Sequence, residues 1–394
     1  MPDIVPFMLL LFAVAALLRV DFFFTIVYFL FALYIFSRLW VQRATEQLRA
    51  KREFTAHAFP GDQVVVRLTV RNDGWVPVPW VDVHESLSVQ LAAPPFHREV
   101  VSLGGRGEHI FTYTLNCRRR GYHPVGPLVL RTGDLLGIVP GQRMELEPDH
   151  IIVYPRVVPL HRLGLPTRSP HAALPAPFHL FEDPTRIMGV SDYQRGDSTR
   201  RIHWTATASV GRLLVKQYQP AIARETAICL NLDQDDYESR YRHTATELAI
   251  VVAASVANHI VVREGLSVGL MTEARDPLSD RRLSFFLPPR SERMHLMRLL
   301  EVLARVETTS QTSFPDLLRR HSVRLSWGAT LLIITGRESE ELYDTLAQLR
   351  RAGFAVALIL AQPPRPSEEL ANRAAVLGVP VRRLWSEIDM EAWP

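Results

Sequence analysis

The chain has 394 residues, and at about 150 residues per domain this length predicts two or three domains. Its composition, 47% hydrophobic, 22% charged and 9% aromatic, excludes a wholly disordered or collagen-like chain. Lysine and arginine number 45 against 41 aspartate and glutamate, which excludes a polycation, and the two cysteines, Cys117 and Cys229, exclude a disulfide framework and match no metal-ligand spacing.

Residues 4–36 carry only two formal charges, Arg19 and Asp21. The start Met-Pro-Asp lacks the basic region of a secretory signal, and the apolar run is too long for one. Blocks 4–18 and 22–36 are each about 22 Å of helix, short of the roughly 30 Å of a bilayer core. The expected solution is a transmembrane helical hairpin within residues 1–40, its second helix running on towards Trp40 with Arg38 reaching the interface. A single long helix and a helix lying in the interface are the alternatives; the former would put Arg19 and Asp21 in mid-bilayer. Arg38, Arg43, Arg49, Lys51 and Arg52 follow the apolar block against one acid, Glu46, so this end, and with it the N-terminus of a hairpin, is expected in the cytoplasm.

Residues 54–155 show period two in short bursts. Val64, Val66, Leu68 and Val70 alternate before the turn Asn72-Asp73-Gly74, Val81 and Val83 follow, and Glu108 to Leu115 alternates around Phe111 and Tyr113. With Val125 to Leu130 and Ile151 to Tyr154, about seven strands are expected, as in a β-sandwich-like domain. The triplet Arg118-Arg119-Arg120 is either a solvated strand edge or an acidic-partner surface. Six prolines within residues 155–180 deny regular structure, which makes 156–180 a linker.

From residue 226 the period changes. Apolar strands are expected at Thr226 to Leu232, Leu266 to Met271, Thr330 to Ile334, Ala355 to Leu360 and Val381 to Leu384, with a short edge strand at Arg282 to Leu287. Helices are expected at Tyr241 to Val262, Glu292 to Val306, Glu338 to Arg350 and Ser367 to Leu377. Alternation of this kind predicts an α/β domain over 226–394 with a mainly parallel sheet, and such sheets bind ligands beyond the carboxyl ends of their strands. Those ends carry Asp233, Asp235, Asp236, Thr272, Glu273, Thr335 and Gly336. Asp233, Asp235 and Thr335 are weak candidates for a Mg²⁺ site, which needs several oxygen ligands.

Residues 181–225 mix bases (Arg186, Arg195, Arg200, Arg201, Arg212, Lys216) with acids (Glu182, Asp183, Asp192, Asp197) and with Tyr193, Trp204 and Tyr218. Such interleaving suits an internally paired surface or a docking patch. His203 has no identifiable partner for catalysis, and no nucleophile, base and orienter stand together. No catalytic or cofactor-binding residue and no nucleic-acid partner are expected.

This segment carries a resemblance. Tyr193-Gln194-Arg195-Gly196-Asp197, then Arg200-Arg201-Ile202-His203-Trp204-Thr205-Ala206-Thr207-Ala208, then Leu213-Leu214-Val215-Lys216-Gln217-Tyr218 closely resembles the hallmark of the family called domain of unknown function 58 (DUF58). Arg119-Arg120-Gly121-Tyr122 and Asp233 extend the resemblance over essentially the entire chain. It implies N-terminal membrane helices, a β-rich segment and a C-terminal domain similar to von Willebrand factor type A, in a bacterial or archaeal cell membrane. The type A ligand motif Asp-x-Ser-x-Ser would fall on Asp233-Gln234-Asp235-Asp236-Tyr237, with both serine positions lost. Family genes commonly neighbour those for MoxR-type AAA+ ATPases and transglutaminase-like membrane proteins, which implies a membrane-tethered, non-enzymatic scaffold or adaptor in assembly or maturation of envelope or membrane complexes. The alternative is a metal-dependent hydrolase using the Asp233 region. Arg119, Arg120, Arg195, Gly196, Asp197, Arg200, Arg201, His203, Trp204 and Lys216 are the hallmark residues to which an interaction or structural role is carried over.

Overall fold

A computed structural model describes residues 4–18, 21–135, 137, 139, 141–160, 182–193, 202–220, 225–277, 279, 281–310, 313–363 and 368–391. The chain divides into two compact units, Met1–Arg156 with Leu300–Val306, and Val157–Leu299 with Glu307–Pro394. Most of the proline-rich stretch, and the hallmark residues Arg195, Gly196, Asp197, Arg200 and Arg201, lie outside the described residues.

The first unit opens with helices α1 (Ile4–Leu18) and α2 (Asp21–Glu46). They touch through Phe12 and Phe24, whose rings meet edge to face with centroids 6.1 Å apart. The apolar side chains of α2 point outward over most of its length: Phe22, Tyr28, Phe29, Phe31, Phe36 and Leu39 are all more than half exposed. Its last turns behave differently. Val41 and Ala44 are buried, and Ala44, together with Leu48 at the start of the strand that follows, enters the same core as Leu68, Val70, Val83 and Leu128. The helix therefore does not stop near residue 40. An apolar stripe carries it directly into the β-rich body.

Among the described residues nine strands follow: β1 (Leu48–Glu53), β2 (His57–Ala58), β3 (Gln63–Asn72), β4 (Val78–Leu87), β5 (Phe96–Leu103), β6 (Glu108–Asn116), β7 (Gly121–Thr132), β8 (Gln142–Leu146) and β9 (Asp149–Val153). One sheet has the order β1-β3-β6; the other has β2-β9-β7-β4-β5, with β8 also beside β7. The alternation along β3 buries Val64, Val66, Leu68 and Val70, and residues of both sheets share two core clusters. This is sheet-on-sheet packing, with period-two strands supplying one face each. Strands β5 and β8 escape the sequence reading because they are edge strands with little apolar alternation.

A charged group crosses this core. The Arg52 guanidinium on β1 lies 2.5 Å from the Glu85 carboxylate on β4 and 2.6 Å from Asp149 on β9, and the Tyr113 hydroxyl on β6 donates to Glu85. The Arg52 and Glu85 side chains are 2% and 0% exposed. Gly126, at φ +113°, leaves room for it: a Cβ there would sit 2.9 Å from Arg52 Nη2. Burial raises the Tyr113 hydroxyl pKa, and the Glu85 charge adds to the rise.

The second unit contains a two-stranded antiparallel pair, β10 (Glu182–Asp192) and β11 (Leu214–Pro220), with helix α3 (Trp204–Val210) between them in sequence. Its main sheet is built from β12 (Glu225–Leu230), β13 (Ser267–Asp276), β14 (Arg281–Arg290), β15 (Thr330–Thr335), β16 (Ala355–Ala361) and β17 (Val381–Leu384). The order is β14-β13-β12-β15-β16-β17. All neighbours are parallel except β14, which pairs antiparallel with β13. Every residue of β15 and β16 is buried, the continuous apolar signature of a sheet covered on both faces.

The helices are α4 (Arg242–Asn258) with a π-helical turn to Arg263, α5 (Arg293–Arg305), α6 (Phe314–Ser322), α7 (Glu340–Arg351), α8 (Glu368–Leu377) and α9 (Ile388–Glu391). Among the described residues two helices are long and apolar enough to cross a membrane, Phe22–Glu46 and Arg242–Arg263, but the second is 83% buried and serves as a core helix of this unit. Helix α6 has no counterpart in the sequence reading. Its apolar residues Phe314, Leu317 and Leu318 join a core formed mostly by distant strands.

Candidate functional site

Strand order reverses between β12 and β15. The chain leaves β12 towards β13 and β14 and later leaves β15 towards β16 and β17, so a crevice opens beyond their carboxyl ends. Asn231, just after β12, organises it. Its backbone N–H donates to the Ile334 carbonyl at 2.9 Å. Its side-chain amide donates to Asp236 Oδ2 at 2.6 Å and to Thr335 Oγ1 at 3.0 Å, and its Oδ1 accepts from the Asp233 N–H at 3.0 Å. Asp233 Oδ1 accepts from the Asp235 N–H at 3.0 Å and so caps the 3-10 turn Gln234–Asp236. The Tyr237 hydroxyl donates back to the Asn231 carbonyl at 2.6 Å. Gly336 permits this closure, since a Cβ there would lie 2.3 Å from the Tyr237 ring.

Two cavities adjoin at Arg337. One, of about 300 Å³, is lined by Asn231, Asp236, Thr335 and the starts of α6 and α7; the other, of about 240 Å³, by Asp235, Tyr237 and Glu238. Both helix starts are already capped: Ser313 Oγ accepts from Asp316 N–H at 3.3 Å and Ser339 Oγ from Leu342 N–H at 3.2 Å. Asp235, Asp236 and Glu238 outnumber Arg337 around the mouth, Glu341 being paired with Arg319 at 3.5 Å, so the crevice favours a cationic visitor.

Asp236 is the titrating group of the crevice. Desolvation raises its carboxyl pKa, Asp233 and Asp235 reinforce the rise, and the Asn231 amide and Arg337 oppose it. Folding thus favours the protonated form. The stabilisation is fully present below the free carboxyl value of about 3.9 and is lost as pH rises through the raised native value. Asp236→Asn keeps an acceptor for Asn231 without the charge. Its Tm relative to the native protein is expected to rise by a few degrees between pH 4 and pH 7; a difference that is flat with pH would refute the shift.

Two of the weak metal candidates, Asp233 and Thr335, are engaged with other partners. Asp233 is 3% exposed, and its carboxylate serves the turn backbone. Thr335 meets Asn231, two residues before the acid at which the ligand motif was expected to start. Where a cation would need an oxygen, Asn231 presents amide hydrogens to Asp236 and Thr335. Among the described residues no group of three or more His, Cys, Asp or Glu is placed to hold a metal ion. Calorimetric titration with Mg²⁺ or Mn²⁺ is expected to show no stoichiometric uptake at micromolar concentration, and uptake abolished by Asp233→Ala would overturn this.

The described hallmark residues take structural positions. His203 Nδ1 accepts from the Ala206 N–H at 3.2 Å and caps α3. Trp204 is 67% exposed, and Lys216 sits half-buried on β11, opposite Val190. The arginine triplet lies in the turn between β6 and β7 rather than in a strand. Arg118 and Arg119 are exposed. Arg120 Nη1, within the first unit, donates to the carbonyls of Leu303, Ala304 and Val306 at 3.0, 3.1 and 3.0 Å, a cation placed on the unsatisfied carbonyls of a helix end.

One further pair was not anticipated: Ser284 Oγ lies 3.0 Å from His321 Nε2. His321 has a lowered pKa, first from desolvation and then from Arg324 and Arg320. Its Nδ1 has no hydrogen-bond partner among the described residues, so nothing described orients the ring as a catalytic base requires. Asn231 and Arg337 have no counterpart among the expected strand-end residues, whereas Asp236 is one of them. The available signal was the polar residue that ends the apolar run Thr226 to Leu230, together with the Ser-x-x-Asp and Ser-x-x-Leu helix starts.

Among solved structures, a CARDB domain from Pyrococcus furiosus in complex with di-metal ions is similar at TM-score 0.20 and 17% identity, covering 27% of this chain and 86% of that one. The complex of zinc 2-glycoprotein with prolactin-inducible protein from human seminal plasma is similar at TM-score 0.22 and 17% identity, covering 26% and 92%. The uncharacterized protein YeaD of Bacillus subtilis (strain 168) is 22% identical over 345 residues, covering 82% of this chain and 77% of its own. Residues 189–363, which run from β10 through the crevice to just past β16, match the family described as protein of unknown function DUF58.

Proposed function

We propose that the protein is a membrane-anchored, non-enzymatic adaptor whose second unit, a domain similar to von Willebrand factor type A, presents the Asn231 crevice to a MoxR-type AAA+ ATPase. The observation that carries the reading is α2. It is long and apolar enough to cross a bilayer, its most apolar stretch is only 11% buried, and its last turns are built into the core of a folded unit. Exposed aromatic side chains along a helix need a partner, and a bilayer is the partner whose thickness matches. The doubly wound order with one antiparallel edge strand supports the type A reading.

The crevice suits recognition better than hydrolysis. Its polar side chains bond one another, and the Asp233 carboxylate is buried against its own turn, which leaves the hydrolase alternative without an exposed acid at that position. The acidic mouth fits a basic surface on the partner.

Tagged full-length protein, purified in mild detergent, is expected to bring down an AAA+ ATPase, and the double variant Asp235→Lys, Glu238→Lys is expected to lose it with its melting unchanged. Recovery of the same proteins by both forms would refute the crevice as the docking site. In the hairpin topology the bases after residue 37 hold the soluble units in the cytoplasm, so a C-terminal alkaline phosphatase fusion is expected to be inactive; an active fusion would reverse the orientation.

A further inference from the structure

We infer that the β-rich unit does not merely hang from α2 but rests on the bilayer surface, through the turn Asp73–Pro77 and the turn that follows β7 at Gly133–Leu135. The inference builds on the anchor reading of α2 given above.

Both turns are fastened to α2 just where its exposed apolar surface ends. Ser37 Oγ donates to Asp134 Oδ2 at 2.7 Å, Trp40 Nε1 donates to the Pro77 carbonyl at 3.1 Å, and the Asp73 N–H donates to the Gln47 carbonyl at 2.9 Å. Trp80 Nε1, 3.2 Å from the Asp134 carbonyl, ties the second turn to β4. From Phe22 to Leu39, both exposed, α2 rises about 26 Å at 1.5 Å per residue, close to the roughly 30 Å of a hydrocarbon core. When that stretch fills the core, Ser37 and Trp40 lie at the interface, and the turns bonded to them lie there too.

Both turns expose a large apolar side chain. Trp75 is 75% exposed and Leu135 79%. An exposed tryptophan in one turn and an exposed leucine in the other, each turn bonded to the end of a spanning helix, match the interfacial preference of tryptophan. Arg38 and Arg43, near the end of α2, and Arg106 are exposed, Arg106 being bonded through its N–H to the Gly74 carbonyl at 2.6 Å. The nearby acid Asp73 is paired with Arg71 at 2.8 Å. The occupant that combines an apolar layer with phosphates above it is the headgroup region of an anionic bilayer.

The test uses full-length protein reconstituted in vesicles of phosphatidylcholine containing a quarter phosphatidylglycerol. An environment-sensitive fluorophore is placed singly at Trp75→Cys, Leu135→Cys, Val65→Cys and Phe29→Cys. Cys117 and Cys229 are buried and react slowly. Val65 is exposed on β3 seven residues before Asn72, roughly 23 Å farther from the helix at 3.3 Å per residue. Labels at 75 and 135 are expected to emit to the blue of the label at 65 and to be quenched at least about twofold more by a shallow lipid-borne spin label. Labels at 75 and 135 that behave like the one at 65, while the label at 29 is quenched by a second spin label carried deep in the acyl chains, would overturn the surface contact and leave the anchor standing. A label at 29 that this deep spin label leaves unquenched would refute the anchor and this inference with it. Protection at 75 that disappears on dilution of protein at fixed lipid would assign the patch to a second protein and also overturn the lipid contact.

Discussion

Glu85→Ala is expected to destabilise the β-rich unit by about 3–5 kcal/mol, the largest effect of any single substitution considered. The change removes the one carboxylate that meets Arg52 at the centre of the sandwich and accepts from Tyr113. Arg52 is 2% exposed, so its charge would remain in the core with only the rim acid Asp149 as partner. For a unit of this size the loss corresponds to a fall in Tm of roughly 6–20 °C, measurable by calorimetry on the full chain in detergent. The triple variant Arg52→Met, Glu85→Leu, Tyr113→Phe removes both charges and the hydroxyl together. It should recover most of that loss, because burying well-packed apolar groups replaces the desolvation of an ion pair. A Glu85→Ala melt within about 1 kcal/mol of the native one would mean that water reaches the pair.

The second large effect is expected at Asn231. Asn231→Ala removes three hydrogen bonds at once and leaves the Thr335 hydroxyl, the Asp236 carboxylate and the Asp233 N–H without the partner each now has there. Thr335 and Asp233 are buried, and an unsatisfied buried polar group costs about 1–3 kcal/mol. A loss of about 2–4 kcal/mol is therefore expected, with looser protection of the amides after β12 in hydrogen exchange. Asn231→Asp keeps the shape but brings a second carboxylate to within hydrogen-bonding distance of Asp236. It should be the more harmful variant at pH 7 and approach the native melt as pH falls towards 4 and one of the two acids is protonated. If both variants melt alike at every pH, the amide is not the organising group of the crevice.

How much of this was legible in the linear chain follows from the range of the interactions involved. Period two in β3 and β6, and the uninterrupted apolar runs of β12, β15 and β16, are local signals, because the side-chain direction of a strand is set by its own backbone. The alternation of strand and helix after residue 226 was local for the same reason and sufficed for a mainly parallel sheet. The apolar run after residue 21 was equally plain, but its end was not. Ser37 and Trp40 look like interfacial residues of a helix that is finishing, whereas Val41 and Ala44 are buried in its last turns, and Ala44, with Leu48 of β1, joins a core whose other half lies in β3, β4 and β7.

The site divides along the same line. Composition and pattern by themselves determined that the chain has an apolar N-terminal segment, a period-two body and an α/β body, and that strand ends near residues 231–236 and 335 carry polar groups. Only the tertiary structure decided which of those groups meet. Thr335 is 104 residues from Asn231 in sequence, and nothing in either neighbourhood marks them as partners; the parallel register Leu230↔Ile334 does. The same holds for Arg52, Glu85 and Tyr113, which stand in three separate segments, Arg52 reading as one of the bases that flank the apolar block. Charges of that kind are called surface residues by any local rule, since burying one is costly unless a partner arrives from elsewhere. The partner is supplied by the packing of two sheets, which is a property of the folded chain as a whole.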